Sequence, residues 1–82
     1  MMMIEYKYIT ITLSRRNSKT NVYAIRNRRS DDPLGFIKWH GSWRQYCFFP
    51  MDHTIFSKGC LEDINDFITR ITKEQKRGEH GK

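Results

Sequence analysis

With 82 residues and 38% hydrophobic side chains, the chain holds one domain, enough for a sheet packed on a helix and too little for a deep enclosed cavity. No apolar run approaches the roughly 18 residues that a bilayer crossing needs, and Met1-Met2-Met3-Ile4 is cut short by Glu5 and Lys7, so no signal peptide is expected. The net charge of +6 is concentrated: residues 14–30 carry Arg15, Arg16, Lys19, Arg26, Arg28 and Arg29 with no acid, and the remaining nine cations balance the nine anions.

In chain order, Tyr6, Tyr8, Thr10 and Thr12 alternate with Ile9, Ile11 and Leu13, so residues 4–13 are predicted as one strand. Residues 14–20 are a polar connection. Residues 21–27 form a second strand with Tyr23 and Ile25 inward, and Arg28 to Pro33 a loop. Residues 35–50 read as two strands joined by the turn His40-Gly41-Ser42, with Trp39 opposite Trp43. That register gives one face of Ile37, Trp39, Trp43, Gln45, Cys47 and Phe49, the expected core. The opposite face collects Phe36, Lys38, Arg44, Tyr46 and Phe48. Thr54-Ile55-Phe56 can add a short strand.

Ser57 is the expected N-cap of a helix whose apolar stripe is Leu61, Ile64, Phe67, Ile68 and Ile71, with Asp66 and Arg70 paired on its wet side. The periodicity stops at Lys73. Residues 1–72 are therefore expected as the domain and 73–82 as a flexible polar tail. The fold class is α+β: an antiparallel sheet of four to five strands, packed on one face by a single C-terminal helix.

Such a fold leaves one sheet face without a covering layer. Rings and cations side by side on that face suit base stacking and phosphate contact, and the basic segment adds a field that attracts nucleic acid or an acidic protein. Catalysis is not expected. The acids sit in a loop, a turn and along the helix, the glycines are scattered, and no residue set resembles a catalytic site. His40, Cys47, His53 and Cys60 are separated by six, five and six residues, without the close pair that nucleates a zinc site, so neither metal nor cofactor is expected. Two cysteines without secretory features fit reduced thiols in the cytoplasm.

The run Leu34-Gly35-Phe36-Ile37-Lys38-Trp39, then Trp43-Arg44-Gln45-Tyr46-Cys47-Phe48-Phe49-Pro50, Thr54-Ile55-Phe56-Ser57 and Cys60-Leu61-Glu62-Asp63-Ile64, resembles small proteins carried by bacteria, phages and other mobile elements. That resemblance implies a domain type and, for a phage-borne copy, the host-cell cytoplasm, but it transfers no functional residue. The order of strands followed by one helix also resembles the DNA-binding domains of plant ethylene-response factors and the N-termini of tyrosine recombinases. That likeness implies that Arg44, Tyr46 and Phe48 face a DNA groove.

The expected function is a small non-enzymatic accessory protein that binds DNA or RNA. Arg15, Arg16, Lys19, Arg26, Arg28 and Arg29 would contact phosphate, and Phe36, Lys38, Arg44, Tyr46 and Phe48 would form the platform. The alternative is a protein-directed inhibitor of a host defence nucleoprotein complex, in the manner of anti-CRISPR proteins, using the same surface. Monomer and homodimer are both compatible with the sequence.

Overall fold

The strand signal over residues 4–13 breaks in two at Tyr6-Lys7-Tyr8. In the computed structural model, which describes Met3 to His80, β1 (Met3–Glu5) folds back on β2 (Ile9–Arg16) through a tight turn. The Tyr6 N–H donates to the Ile9 carbonyl at 2.9 Å within it. β3 (Asn21–Asn27), β4 (Pro33–His40) and β5 (Gln45–Pro50) follow, and all five strands pair antiparallel in sequence order. The fifth strand is thus β1 and not Thr54–Phe56, which lies in the irregular link to the helix. Thr54 turns that link back through its hydroxyl, which donates to the Met51 carbonyl at 2.8 Å.

α1 (Lys58–His80) crosses one side of the sheet. Ser57 caps it: its Oγ accepts from the Cys60 N–H and its carbonyl from the Leu61 N–H. The buried stripe is Cys60, Ile64, Phe67 and Ile71, at the i, i+4, i+7 spacing of one helix face. Leu61, expected in that stripe, is more than half exposed, and Cys60 takes its place. The helix continues through Lys73 to His80 although its apolar periodicity ends at Ile71, because a polar sequence of Lys, Glu, Gln and Arg is still helix-favouring. Gly81 and Lys82 lie outside the described residues.

The core is a single layer between α1 and the sheet. Ile9, Ile11, Ile25 and Ile37 are fully buried there, joined by Tyr23, Tyr46 and Phe67. Aromatic rings meet edge-on: Tyr23 and Phe67 have centroids 5.0 Å apart at 89°, and Trp39 and Tyr46 5.3 Å apart at 78°. Polar groups pin the first two-thirds of the helix to the strands. Near its start the Tyr8 N–H donates to Asp63 Oδ2 at 2.9 Å. Further along, Tyr6 Oη donates to Asp66 Oδ2 at 2.7 Å and accepts from Arg70 Nη1 at 3.1 Å. Asp66 and Arg70 also form the expected i,i+4 pair. About two-thirds of the way along, Thr72 Oγ1 accepts the outward N–H of Tyr46 at 3.0 Å, which blunts the exposed edge of β5 together with the N–H-less Pro50.

The β4–β5 hairpin departs from the expected register. His40 pairs with Gln45, leaving a four-residue loop, Gly41–Arg44, and placing Trp39 opposite Tyr46 rather than Trp43. Arg44 adopts a left-handed backbone (φ 52°) to close it. The partner of Trp39 moves by three residues, and an odd shift turns every β5 side chain to the other face. Tyr46 (3% exposed) and Phe48 therefore pack under the helix, while Cys47 and Phe49 turn to the open side.

Candidate functional site

Strand register sorts the open side of the sheet into rows. Leu13 pairs with Tyr23, but the next pair is Arg15 with Val22, so Ser14 is an extra residue in β2. Strict alternation with Ile9, Ile11 and Leu13 would aim Arg15 at the core. The bulge turns it to the open side instead. There Ser14, Arg15, Val22, Phe36 and Lys38 line a shallow trough of about 260 Å³. Its floor is low because β3 contributes only Val22. The neighbouring row runs across all five strands as Met3, Thr12, Ala24, Phe36 and Phe49.

Phe36 and Phe49 are a direct cross-strand pair, 38% and 37% exposed. Lys38 Nζ stands 4.4 Å from the Phe49 ring centroid, a cation over an aromatic face. Gly35 serves the other face, leaving room for the Phe48 ring and the β5 backbone. A Cβ there would meet the Phe49 carbonyl and come within 2.9 Å of the Phe48 ring, and the backbone sits at φ 157°. Along β4, His40 ends the series Phe36, Lys38, His40 on the same side. The Trp43 ring stacks on His40 at 4.4 Å and 20°, with Trp43 65% exposed.

The structure therefore brings together Arg15, Phe36 and Lys38 from the expected set. It removes Tyr46 and Phe48, whose rings belong to the core, and Arg44 sits in the Gly41–Arg44 loop. Phe49, His40 and Trp43 take their place on the open side. Alternation alone missed them because β5 is apolar on both faces. Size was the available signal: Tyr46 and Phe48 together outweigh Cys47 and Phe49, and Tyr46 makes the better aromatic partner for Trp39.

The basic segment does not form one lobe, because its residues lie at both ends of β3, about 20 Å apart for seven strand residues. Arg15, Arg16 and Lys19 surround the β2–β3 turn, where the Asn17 N–H donates to the Thr20 carbonyl. Among the described residues none of these three has an acidic partner. At the opposite end Arg26 bonds the Asp31 carbonyl at 3.0 Å and pairs with its carboxylate. Arg28 bonds the Tyr6 carbonyl at 2.9 Å and pairs with Glu5. Those two guanidiniums tie loops together. A hollow of about 550 Å³ lies at this second end between Lys7, Tyr8, Arg28, Arg29 and Ser57. It owes its shape to the Tyr8 ring lying on Gly59 and to the committed Arg28.

Two phenols, the buried Tyr46 and the half-buried Tyr6, carry upward-shifted ionisations. Burial pushes the Tyr46 hydroxyl above its ordinary value near 10, partly offset by the bond it accepts from the Asn21 N–H at 3.2 Å. Burial, then the hydrogen bond to Asp66, raises Tyr6 in the same direction. Both phenols are structural. Among the described residues no three His, Cys, Asp or Glu side chains converge to hold a metal, and no helix is long and apolar enough to cross a membrane.

Comparison with known proteins gives one informative match. Over 59 residues the chain is 30% identical to the "Uncharacterized 9.3 kDa protein" of Acholeplasma phage L2, covering 72% of this chain and 76% of the relative. The chain belongs to that family of small phage proteins. No family model matches, and neither does any solved structure.

Proposed function

We propose that this phage-family protein is a non-enzymatic nucleic-acid-binding module that uses the open side of its sheet. The observation that carries the reading is the juxtaposition of Arg15, Phe36 and Lys38 in one shallow trough, with Phe49 beside Phe36 and under Lys38. Half-exposed rings offer π-faces to bases, while the two cations stand where a phosphate backbone would pass. Arg16 and Lys19, at the adjoining turn, extend the positive field along the path of the strand. Arg26 and Arg28 contribute charge at long range only, since each is held by loop groups.

The test is fluorescence anisotropy with labelled oligonucleotides of mixed sequence, single- and double-stranded, at several salt concentrations. Affinity is expected to fall steeply between about 50 and about 200 mM salt, on a straight line in log–log form, because released counterions dominate such contacts. Binding that ignores salt, or no binding at all, contradicts the proposal. An inhibitor of a host protein would use the same rings and cations. Capture of a single host protein from nuclease-treated lysate, with no oligonucleotide binding, would replace the nucleic-acid reading with that one.

A further inference from the structure

Trp43 is the largest exposed ring on the molecule, and its position is not that of a core residue turned out by accident. It sits in the Gly41–Arg44 loop, where its N–H donates to the His40 carbonyl at 3.2 Å. Its ring lies nearly parallel on His40, whose side chain is on the open side of the sheet. One π-face is thus covered and held in place. The ring as a whole is nevertheless 65% exposed.

The loop position aligns Trp43 with the trough. Phe36, Lys38 and His40 succeed one another along the same side of β4. Four residues of strand separate the Phe36 level from the His40–Trp43 stack, about 13 Å. A cation, Lys38, stands between the two aromatic stations, and Arg15 flanks it across Val22. From Ile9 to Met51 the chain carries only two acids, Asp31 and Asp32, both in the loop at the far end of β3. The surface between the stations is therefore positive and free of carboxylates.

Resting on the nucleic-acid reading above, we propose that the ligand is single-stranded and runs along β4, with an unpaired base stacked on the exposed Trp43 ring. A second base rests at Phe36 and Phe49, and the linking phosphates pass Lys38 and Arg15. A duplex hides its base faces inside its own stack, so it cannot use either station. An extended single strand presents them, and base–aromatic stacking tolerates any sequence.

The experiment uses the full chain and an oligothymidylate of about 12 nucleotides, beside a duplex of equal length. In a Trp39→Phe background Trp43 is the sole tryptophan, and its emission is expected to be quenched saturably by the single strand and little by the duplex. Independently, anisotropy with labelled oligonucleotide should show Trp43→Ala weakening single-strand binding on the order of tenfold, while Trp43→Phe keeps most of the affinity. Far-UV circular dichroism should be unchanged, because Trp43 contributes nothing to the core. Salt-dependent binding with Trp43 unquenched and Trp43→Ala indistinguishable from the parent would overturn the single-strand path and leave the broader reading standing. Tighter binding of duplex than of single strand would do the same. Absence of binding to every oligonucleotide would overturn both.

Discussion

Ile37 and Phe36 are neighbours in β4 and share almost nothing else. Ile37 is fully buried beneath α1, opposite Phe48, whereas Phe36 is more than one-third exposed opposite Phe49. The helix side is closed by interlocking aromatics and by Tyr46, whose hydroxyl and amide are both engaged, the first by the Asn21 N–H and the second by Thr72. The open side has rings of comparable size with a lysine over one of them and no covering layer. A sheet needs only one apolar face to fold, so apolar side chains on the second face call for another explanation, and binding supplies one.

Substitutions at the two neighbours should break the symmetry of a sheet that looks aromatic on both sides. Ile37→Ala is expected to cost about 2–4 kcal/mol in urea denaturation, the range for a buried aliphatic truncated to Ala. Phe36→Ala should cost well under half of that in the same assay, and should instead weaken oligonucleotide binding. Equal stability losses at both positions would mean that the open side is a second core. The smallest expected effect is a pH dependence. A phenol whose folded pKa stands above its unfolded value near 10 contributes stability that is complete below that value and is lost as pH rises through the folded pKa. Both Tyr46 and Tyr6 are shifted upward, so stability should decline on the alkaline side of about pH 10, more steeply than in Tyr46→Phe. An alkaline limb identical in that variant would place the cause elsewhere.

The same contrast explains what the sequence made legible. Strict alternation in Ile9–Leu13 and the pair Tyr23 and Ile25 marked the inner faces of β2 and β3. Ser57 followed by apolar residues at helical spacing marked the start of α1 and, with it, the α+β class. Alternation failed where both faces of a strand are apolar. In β5, Tyr46 and Phe48 compete with Cys47 and Phe49, and the loop that decides between them closes through a left-handed Arg44, a conformation no glycine announces. The bulge at Ser14 was equally silent, since one extra polar residue near a turn leaves no mark on a pattern of period two. Yet that bulge brings Arg15 to the trough. The split of the basic segment between two ends of β3 follows from strand length, and charge counting along the chain does not register distance in space.

The most direct measurement compares the parent chain with the Arg15→Glu/Lys38→Glu double variant in oligonucleotide titrations across a salt series. If the open trough is the binding surface, the variant should lose at least tenfold in affinity near 100 mM salt and show a slope shallower by about 2 in log K against log salt, with unchanged urea stability. Equal affinity and equal slope in the two proteins would contradict it.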